Sequence, residues 1–88
     1  MAVVIVKHKV ENYKKWEGFY NDDVQRRQNA GLKEIVHGRN VDSPNEVYLI
    51  FESDDAMKAK EFLRDPELKE VMDEAGVLDK PEMIILEK

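Results

Sequence analysis

The two histidines of the chain are its side chains best suited to proton transfer, because the ordinary imidazole pKa lies near neutral pH. His8 lies near the end of the first apolar segment, and His37 lies in a later segment with the composition of a strand. A catalytic histidine in this chain would act as a general base. The alternative is that His8 and His37 are ordinary, partly buried histidines.

Trp16 and Tyr20 are one helical turn apart and form a second candidate group. They could form a wall for a flat ligand, with the indole N–H or the phenol O–H as a polar contact. The alternative is an aromatic core, which such a stripe usually forms. Arg39 follows His37 by two residues and is a third candidate for substrate binding.

Arg27 lies on the same helical stripe and, if buried, needs a carboxylate or a carbonyl as its partner. Structural pairing is favoured over anion binding for this residue. The sequence contains no Ser/His/Asp arrangement, no paired catalytic carboxylates and no glycine-rich phosphate loop.

These candidates lie on elements that the hydrophobic periodicity and the capping residues predict. Asn12 is the expected N-cap of the first helix, and Gly31 and Gly76 are expected to end the two helical regions. The predicted elements are a strand over 2–10, a helix over 12–30, strands over 32–41 and 46–53, a helical region from the caps at 53–55 to Gly76 with a restart at Asp65-Pro66, and a strand over 82–87.

The resulting β-α-β-β-α-β order favours one α+β domain over residues 1–88, a ferredoxin-like sandwich with an antiparallel four-stranded sheet and both helices on one face. A turn centred on 42–46 would pair Val41 with Val47, Arg39 with Leu49 and His37 with Phe51. His37 and Arg39 would then face the helices. We therefore expect one cavity on that side of the sheet, bordered by His8, Trp16, Tyr20, His37 and Arg39.

The first strand is apolar on both faces, which indicates that both are covered. The helices suffice for one face, so we expect a homodimer that pairs the other faces by twofold symmetry. The 88 residues carry a net charge of −5, no cysteine and no basic run. We expect no nucleic-acid partner, no membrane association, no metal site and a cytoplasmic location.

Several segments spread over nearly the whole chain resemble the dimeric α+β barrel superfamily, close to its antibiotic-biosynthesis-monooxygenase-like and "cyclase"-labelled small proteins. They are His8–Trp16, Arg27 and Gly31, Asp42–Val47, Phe62–Leu68, Met72–Val77 and Pro81-Glu82. The superfamily includes cofactor-free oxygenases of aromatic polyketides, haem-degrading proteins, lactone isomerases and peroxidases. One fold hosting several activities is usual.

The resemblance implies a small-molecule-binding protein, with cofactor-independent oxygenation of an aromatic or polyketide-like substrate as its leading activity and no cofactor. His37 or His8 would then remove a proton, and the substrate carbanion would react with oxygen. The rival hypotheses are a non-catalytic dimeric stress or accessory module, and an isomerase or cyclase. An empty, convergent pocket would favour a small-molecule enzyme or ligand-binding protein, and a solid core would favour the module.

Overall fold

The computed structural model describes residues 1–88, which follow the predicted β-α-β-β-α-β order, with each helical region divided into two helices. The elements are β1 (Ala2–Lys9), α1 (Tyr13–Asp22), α2 (Val24–Asn29), β2 (Leu32–Arg39), β3 (Glu46–Ser53), α3 (Ala56–Leu63), α4 (Pro66–Glu74) and β4 (Glu82–Glu87). None of the four helices is long and apolar enough to span a bilayer.

The four strands form one antiparallel sheet in the order β2-β3-β1-β4. Alternate residues of β1 and β3 are buried, as expected for strands with one face on a core. They pack in a single cluster with Trp16 of α1, Ala59 of α3 and Ala75 of α4. The helices therefore cover one face of the sheet, which confirms the predicted fold class.

The opposite face of the sheet exposes apolar side chains. Val36, Ile84 and Leu86 are 51%, 54% and 50% exposed. The register places Ile5 between Ile84 of β4 and Ile50 of β3, so these side chains continue the same patch. The patch crosses all four strands, and nothing within the chain covers it.

The hairpin register differs from the predicted one by two residues. His37 pairs with Leu49 and Arg39 pairs with Val47, and β2 ends at Arg39 instead of residue 41. The turn begins earlier because the Asn40 amide donates to the Glu46 carbonyl at 2.9 Å. A shift of two residues preserves the alternation of faces, so His37 and Arg39 still face the helices.

A bulge interrupts β2 at Ile35. Glu34 pairs with Phe51 and Val36 pairs with Ile50, which leaves Ile35 without an opposite residue. Residues three apart in a regular strand lie on opposite faces, but the extra residue changes that alternation. Glu34 consequently lies on the same face as His37.

The first helix begins as predicted, with the Asn12 side chain accepting a hydrogen bond from the Lys15 amide at 3.1 Å. It does not continue to residue 30, because Asp23 has a φ of −96° and a ψ of 17° and separates α1 from α2. Val24, the first residue of α2 after this break, is exposed. Gly31 has a φ of 76° and ends α2 as expected.

Two aspartates cap the second helical region at the predicted restart points. Asp55 accepts hydrogen bonds from the Met57 and Lys58 amides, and Asp65 accepts one from the Glu67 amide. Pro66 occupies the first turn of α4, where its missing N–H costs nothing.

Two glycines should respond in opposite ways to substitution by alanine. Gly18→Ala should raise the free energy of unfolding by about 1 kcal/mol, because a Cβ there meets nothing within 4 Å and alanine favours the helix. Gly76→Ala should lower it by about 1–2 kcal/mol, since Gly76 has a φ of +86° and its Cβ would lie 3.3 Å from that of Glu11. Urea denaturation measures both, and destabilisation by Gly18→Ala as large as that by Gly76→Ala would contradict this account.

Candidate functional site

The indole of Trp16 lies at the centre of the site, where it is 3% exposed. Its ring stacks on Tyr20 with centroids 4.9 Å apart. It also makes edge-to-face contacts with His8 and His37, with ring centroids 5.5 Å and 6.0 Å apart, respectively. Because β3 separates β1 from β2, the two histidines do not meet, and the indole fills the space between them.

His8 is buried among apolar groups and neither ring nitrogen has a hydrogen-bond partner. Burial lowers the pKa of His8 to about 4, although the nearby Asp79 carboxylate acts in the opposite direction. His8 is therefore a neutral imidazole at physiological pH. A buried polar group without a partner is rare in folded proteins, so these two nitrogens need an explanation.

An apolar cavity of about 70 Å³ lies against His8, between the helices and the sheet. Thirteen of its sixteen lining residues are hydrophobic, and the other three are His8, Asp23 and Arg27. Trp16 and Tyr20 form part of the wall. The cavity is smaller than the ~150 Å³ apolar cavity that holds benzene in another protein. An aromatic ring could enter only if neighbouring side chains moved.

His37 lies between two carboxylates that come from different elements. Its Nδ1 is 2.6 Å from Oε1 of Glu34, and its Nε2 is 3.1 Å from Oε2 of Glu17. An ionised carboxylate only accepts hydrogen bonds, so both bonds form together when both ring nitrogens carry hydrogen. The arrangement therefore links α1 to β2 through the His37 ring.

Two tyrosines complete this network. The Tyr20 hydroxyl donates to Oε1 of Glu34 at 2.5 Å, and the Tyr13 hydroxyl donates to Oε2 of Glu17 at 3.2 Å. Burial alone would raise the pKa of Glu34, but the hydrogen bonds from Tyr20 and His37 outweigh it and lower that pKa. The bond from His37 is also the main cause that lowers the pKa of Glu17. Both carboxylates are thus held ionised.

A second depression, an open groove of about 590 Å³, lies between α1, α2 and β2. Only three of its ten lining residues are hydrophobic. His37 and Glu34 line the groove, while Tyr20 and Arg27 line both the groove and the apolar cavity. The two depressions therefore share Tyr20 and Arg27 as lining residues.

Two arginines pack on the tyrosines of α1. The guanidinium carbon of Arg27 lies 3.6 Å from the centroid of the Tyr20 ring, and its Nη1 donates to the Tyr20 carbonyl at 2.7 Å. That carbonyl is the partner expected for a partly buried arginine. The Arg39 guanidinium lies 4.7 Å from the centroid of the Tyr13 ring.

The five predicted site residues do not border one cavity. His8, Trp16 and Tyr20 line the apolar cavity, whereas His37 lines the groove on the other side of Tyr20. Arg39 lines neither of these two depressions and packs on Tyr13 instead. The catalytic and binding roles assigned to these residues remain predictions.

Sequence reasoning missed Tyr13, Glu17 and Glu34 as parts of the site. The helical periodicity places Glu17 on a solvated face, yet it bonds His37 from the edge of that face. Its spacing of four residues from Tyr13 could have indicated their contact. No group of three or more His, Asp or Glu side chains has an arrangement that could hold a metal ion.

Comparison with solved structures finds the same fold in several proteins of low sequence identity. A candidate antibiotic biosynthesis monooxygenase from Bordetella bronchiseptica superposes with a TM-score of 0.79 at 13% identity, over 99% of this chain and 95% of that one. A conserved protein from Methanosarcina mazei Go1 superposes with a TM-score of 0.73 at 16% identity, over 100% of this chain and 93% of that one. An antibiotic biosynthesis monooxygenase superposes with a TM-score of 0.70 at 12% identity, over 100% of this chain and 98% of that one.

No protein-family model and no curated protein matches the sequence. The structural matches place the chain in the fold of the antibiotic-biosynthesis-monooxygenase-like α+β proteins, as its sequence resemblance predicted. At these identities the likeness concerns the fold, and the function has to be argued from the site.

The buried state of His8 predicts a specific loss of stability at acidic pH. Unfolded His8 takes up a proton below about pH 6.5, but folded His8 does so only near pH 4. As the pH falls, His8 is protonated in the unfolded state before it is protonated in the folded state. The contribution of neutral His8 to the free energy of unfolding is therefore fully present above pH 6.5 and decreases toward pH 4. The loss attributable to this residue should reach about 3 kcal/mol, because each tenfold difference in proton affinity between the two states is worth roughly 1.4 kcal/mol.

Urea denaturation of the wild type and His8→Phe between pH 7 and pH 4 isolates this contribution, because the carboxylates are common to both proteins. The wild type should lose stability relative to the variant as the pH falls. A difference between them that stays constant over this range would contradict a lowered pKa of His8.

Proposed function

We propose that the protein is a homodimeric small-molecule-binding protein whose ligand enters the apolar cavity and forms a hydrogen bond with His8. The observation that carries this proposal is that His8, whose two buried ring nitrogens have no hydrogen-bond partner, is one of the residues that line the cavity. Leaving a buried polar group unpaired costs about 1–3 kcal/mol. A ligand group that reaches His8 would remove that cost and thereby gain affinity.

The chemistry of His8 limits what the ligand can be. A neutral imidazole offers one donor and one acceptor, which suit a hydroxyl or a carbonyl. Apart from Asp23 and Arg27, the other lining residues are apolar or aromatic, so the part of the ligand inside the cavity is largely apolar and compact. A small phenol or enol meets both conditions.

Oxygenation without a cofactor is the reaction that the fold resemblance suggests, and the site restricts its substrates. A base whose conjugate acid has a pKa of about 4 is weak toward an ordinary phenol, whose pKa is about 10. We therefore assign His8 to recognition and proton acceptance from acidic enols only. His37 is the weaker candidate base, since both of its nitrogens already face carboxylates.

One observation favours the non-catalytic alternative. The cavity of about 70 Å³ is far smaller than the ~300 Å³ at which ligand pockets usually begin. In that alternative the chain is a dimeric accessory module whose own side chains fill the space. Direct binding measurements distinguish the two functions.

The exposed apolar sheet face supports the homodimer. Val36, Ile84 and Leu86 lie on it in a chain of 10.3 kDa with no cysteine. A small domain buries a smaller fraction of its surface than a large one and is therefore only marginally stable. Pairing two such faces stabilises it because apolar area is removed from water. Twofold pairing of the two sheets is the simplest arrangement that covers both.

Light scattering at micromolar concentration should therefore give about twice the chain mass of 10.3 kDa. Ile84→Lys should shift the protein toward monomer, because a charge would be buried in the centre of the interface. Val41→Lys is the matched control, since Val41 is 93% exposed in a loop. A folded monomer for the wild type would contradict the proposed dimer.

Titration with p-cresol and toluene, followed by NMR, tests the binding function. The two compounds differ by one hydroxyl, so p-cresol should bind roughly tenfold more tightly if it pairs with His8. Its shifts should centre on His8, Trp16 and Tyr20. His8→Phe should remove the preference for p-cresol, while His37→Gln, which alters the groove, should retain it.

Equal affinities for p-cresol and toluene would exclude His8 as the recognition group. Shifts centred on the open sheet face would place the site elsewhere. Absence of binding by both compounds would favour the non-catalytic module.

A further inference from the structure

The apolar cavity and the polar groove are neighbouring depressions with two lining residues in common. Tyr20 and Arg27 line both of them. The cavity has a volume of about 70 Å³ and the groove one of about 590 Å³. A ligand with its apolar part in the cavity would pass the Arg27 guanidinium on its way to solvent.

Arg27 has unused capacity to bind an anion. It makes one hydrogen bond, to the Tyr20 carbonyl, and no carboxylate lies within ion-pair distance. Its neighbour Arg26 is in the opposite situation, with Asp23 at 3.1 Å and Glu67 at 2.9 Å. A guanidinium carries five N–H donors, so Arg27 keeps a free, half-buried edge for a ligand.

The charges around the groove favour an anion although the chain as a whole carries −5. Arg27 and Lys33 contribute two positive charges to the groove, and Glu34 is its one acidic lining residue. The Glu34 carboxylate is already engaged by Tyr20 and His37. The groove thus offers the positive charge of Arg27, which also lines the cavity and has no ion-pair partner.

We propose that the ligand of this site is an amphipathic carboxylate, with a compact apolar group in the cavity and its carboxylate paired with Arg27. The proposal rests on the binding function proposed above and specifies its ligand class. Arginine and carboxylate match each other through two parallel N–H···O bonds, which supplies both affinity and orientation. The cavity then needs to hold only the apolar part of the molecule, and its side chains must move where that part is a phenyl ring.

Calorimetric titration with matched acids and amides tests this ligand class. The probes are phenylacetate and 3-phenylpropanoate, each compared with its neutral primary amide. The wild type should bind at least one acid roughly tenfold more tightly than its amide, as expected for hydrogen bonds between charged groups. Raising the salt concentration should weaken binding of the acid and leave that of the amide nearly unchanged.

Variants of the two neighbouring arginines assign the effect to one residue. Arg27→Gln should remove the preference for the acid, and Arg27→Lys should retain part of it because the charge remains. Arg26→Gln is the matched control on the same helix and should keep the full preference. Circular dichroism and the Tm of each variant establish that it is folded.

Equal binding of acid and amide by the wild type would overturn the proposal, as would equal losses in Arg26→Gln and Arg27→Gln. If p-cresol still binds at His8 in that case, the binding function stands and only the carboxylate assignment fails. If neither the acids, the amides nor p-cresol bind, both proposals fail.

Discussion

The packing of the Trp16 indole determines how the rest of the site is arranged. The centroid of its ring system lies 5.5 Å from that of His8, 6.0 Å from that of His37 and 4.9 Å from that of Tyr20, on which it stacks. The indole therefore separates an apolar side of the site, around His8, from a polar side, around His37. Truncation of a buried tryptophan typically costs about 3–5 kcal/mol. The packing of the Trp16 indole therefore also contributes to the stability of this small core.

The two histidines illustrate how environment decides the role of one side-chain type. Burial keeps His8 neutral, with a pKa of about 4, and its two ring nitrogens have no hydrogen-bond partner within the chain. His37 has carboxylates on both nitrogens and joins α1 to β2. One histidine is suited to recognition, and the other stabilises the wall of the groove. Arg27 lies where the two regions meet.

Local rules are sufficient to predict much of this structure from the sequence. The caps at Asn12, Asp55 and Asp65 follow from side-chain chemistry next to each helix. The predicted face of the sheet for His37 is correct despite a wrong register, because a shift of two residues preserves the alternation of side chains. The bulge at Ile35 has no local signature, and without it Glu34 would lie on the other face, away from His37. The partners of His37 therefore depend on long-range pairing and could not be predicted.

We propose that His8 is a neutral imidazole whose missing hydrogen-bond partner is supplied by a bound ligand. The ¹⁵N chemical shifts of its two ring nitrogens, recorded at pH 6 with and without p-cresol, test this most directly. We expect neutral-imidazole shifts in the free protein, since pH 6 lies above the lowered pKa of about 4, and a saturable change at one of the two nitrogens when p-cresol is added. A protonated ring at pH 6, or ring-nitrogen shifts that stay unchanged while the compound binds elsewhere in the protein, would contradict it.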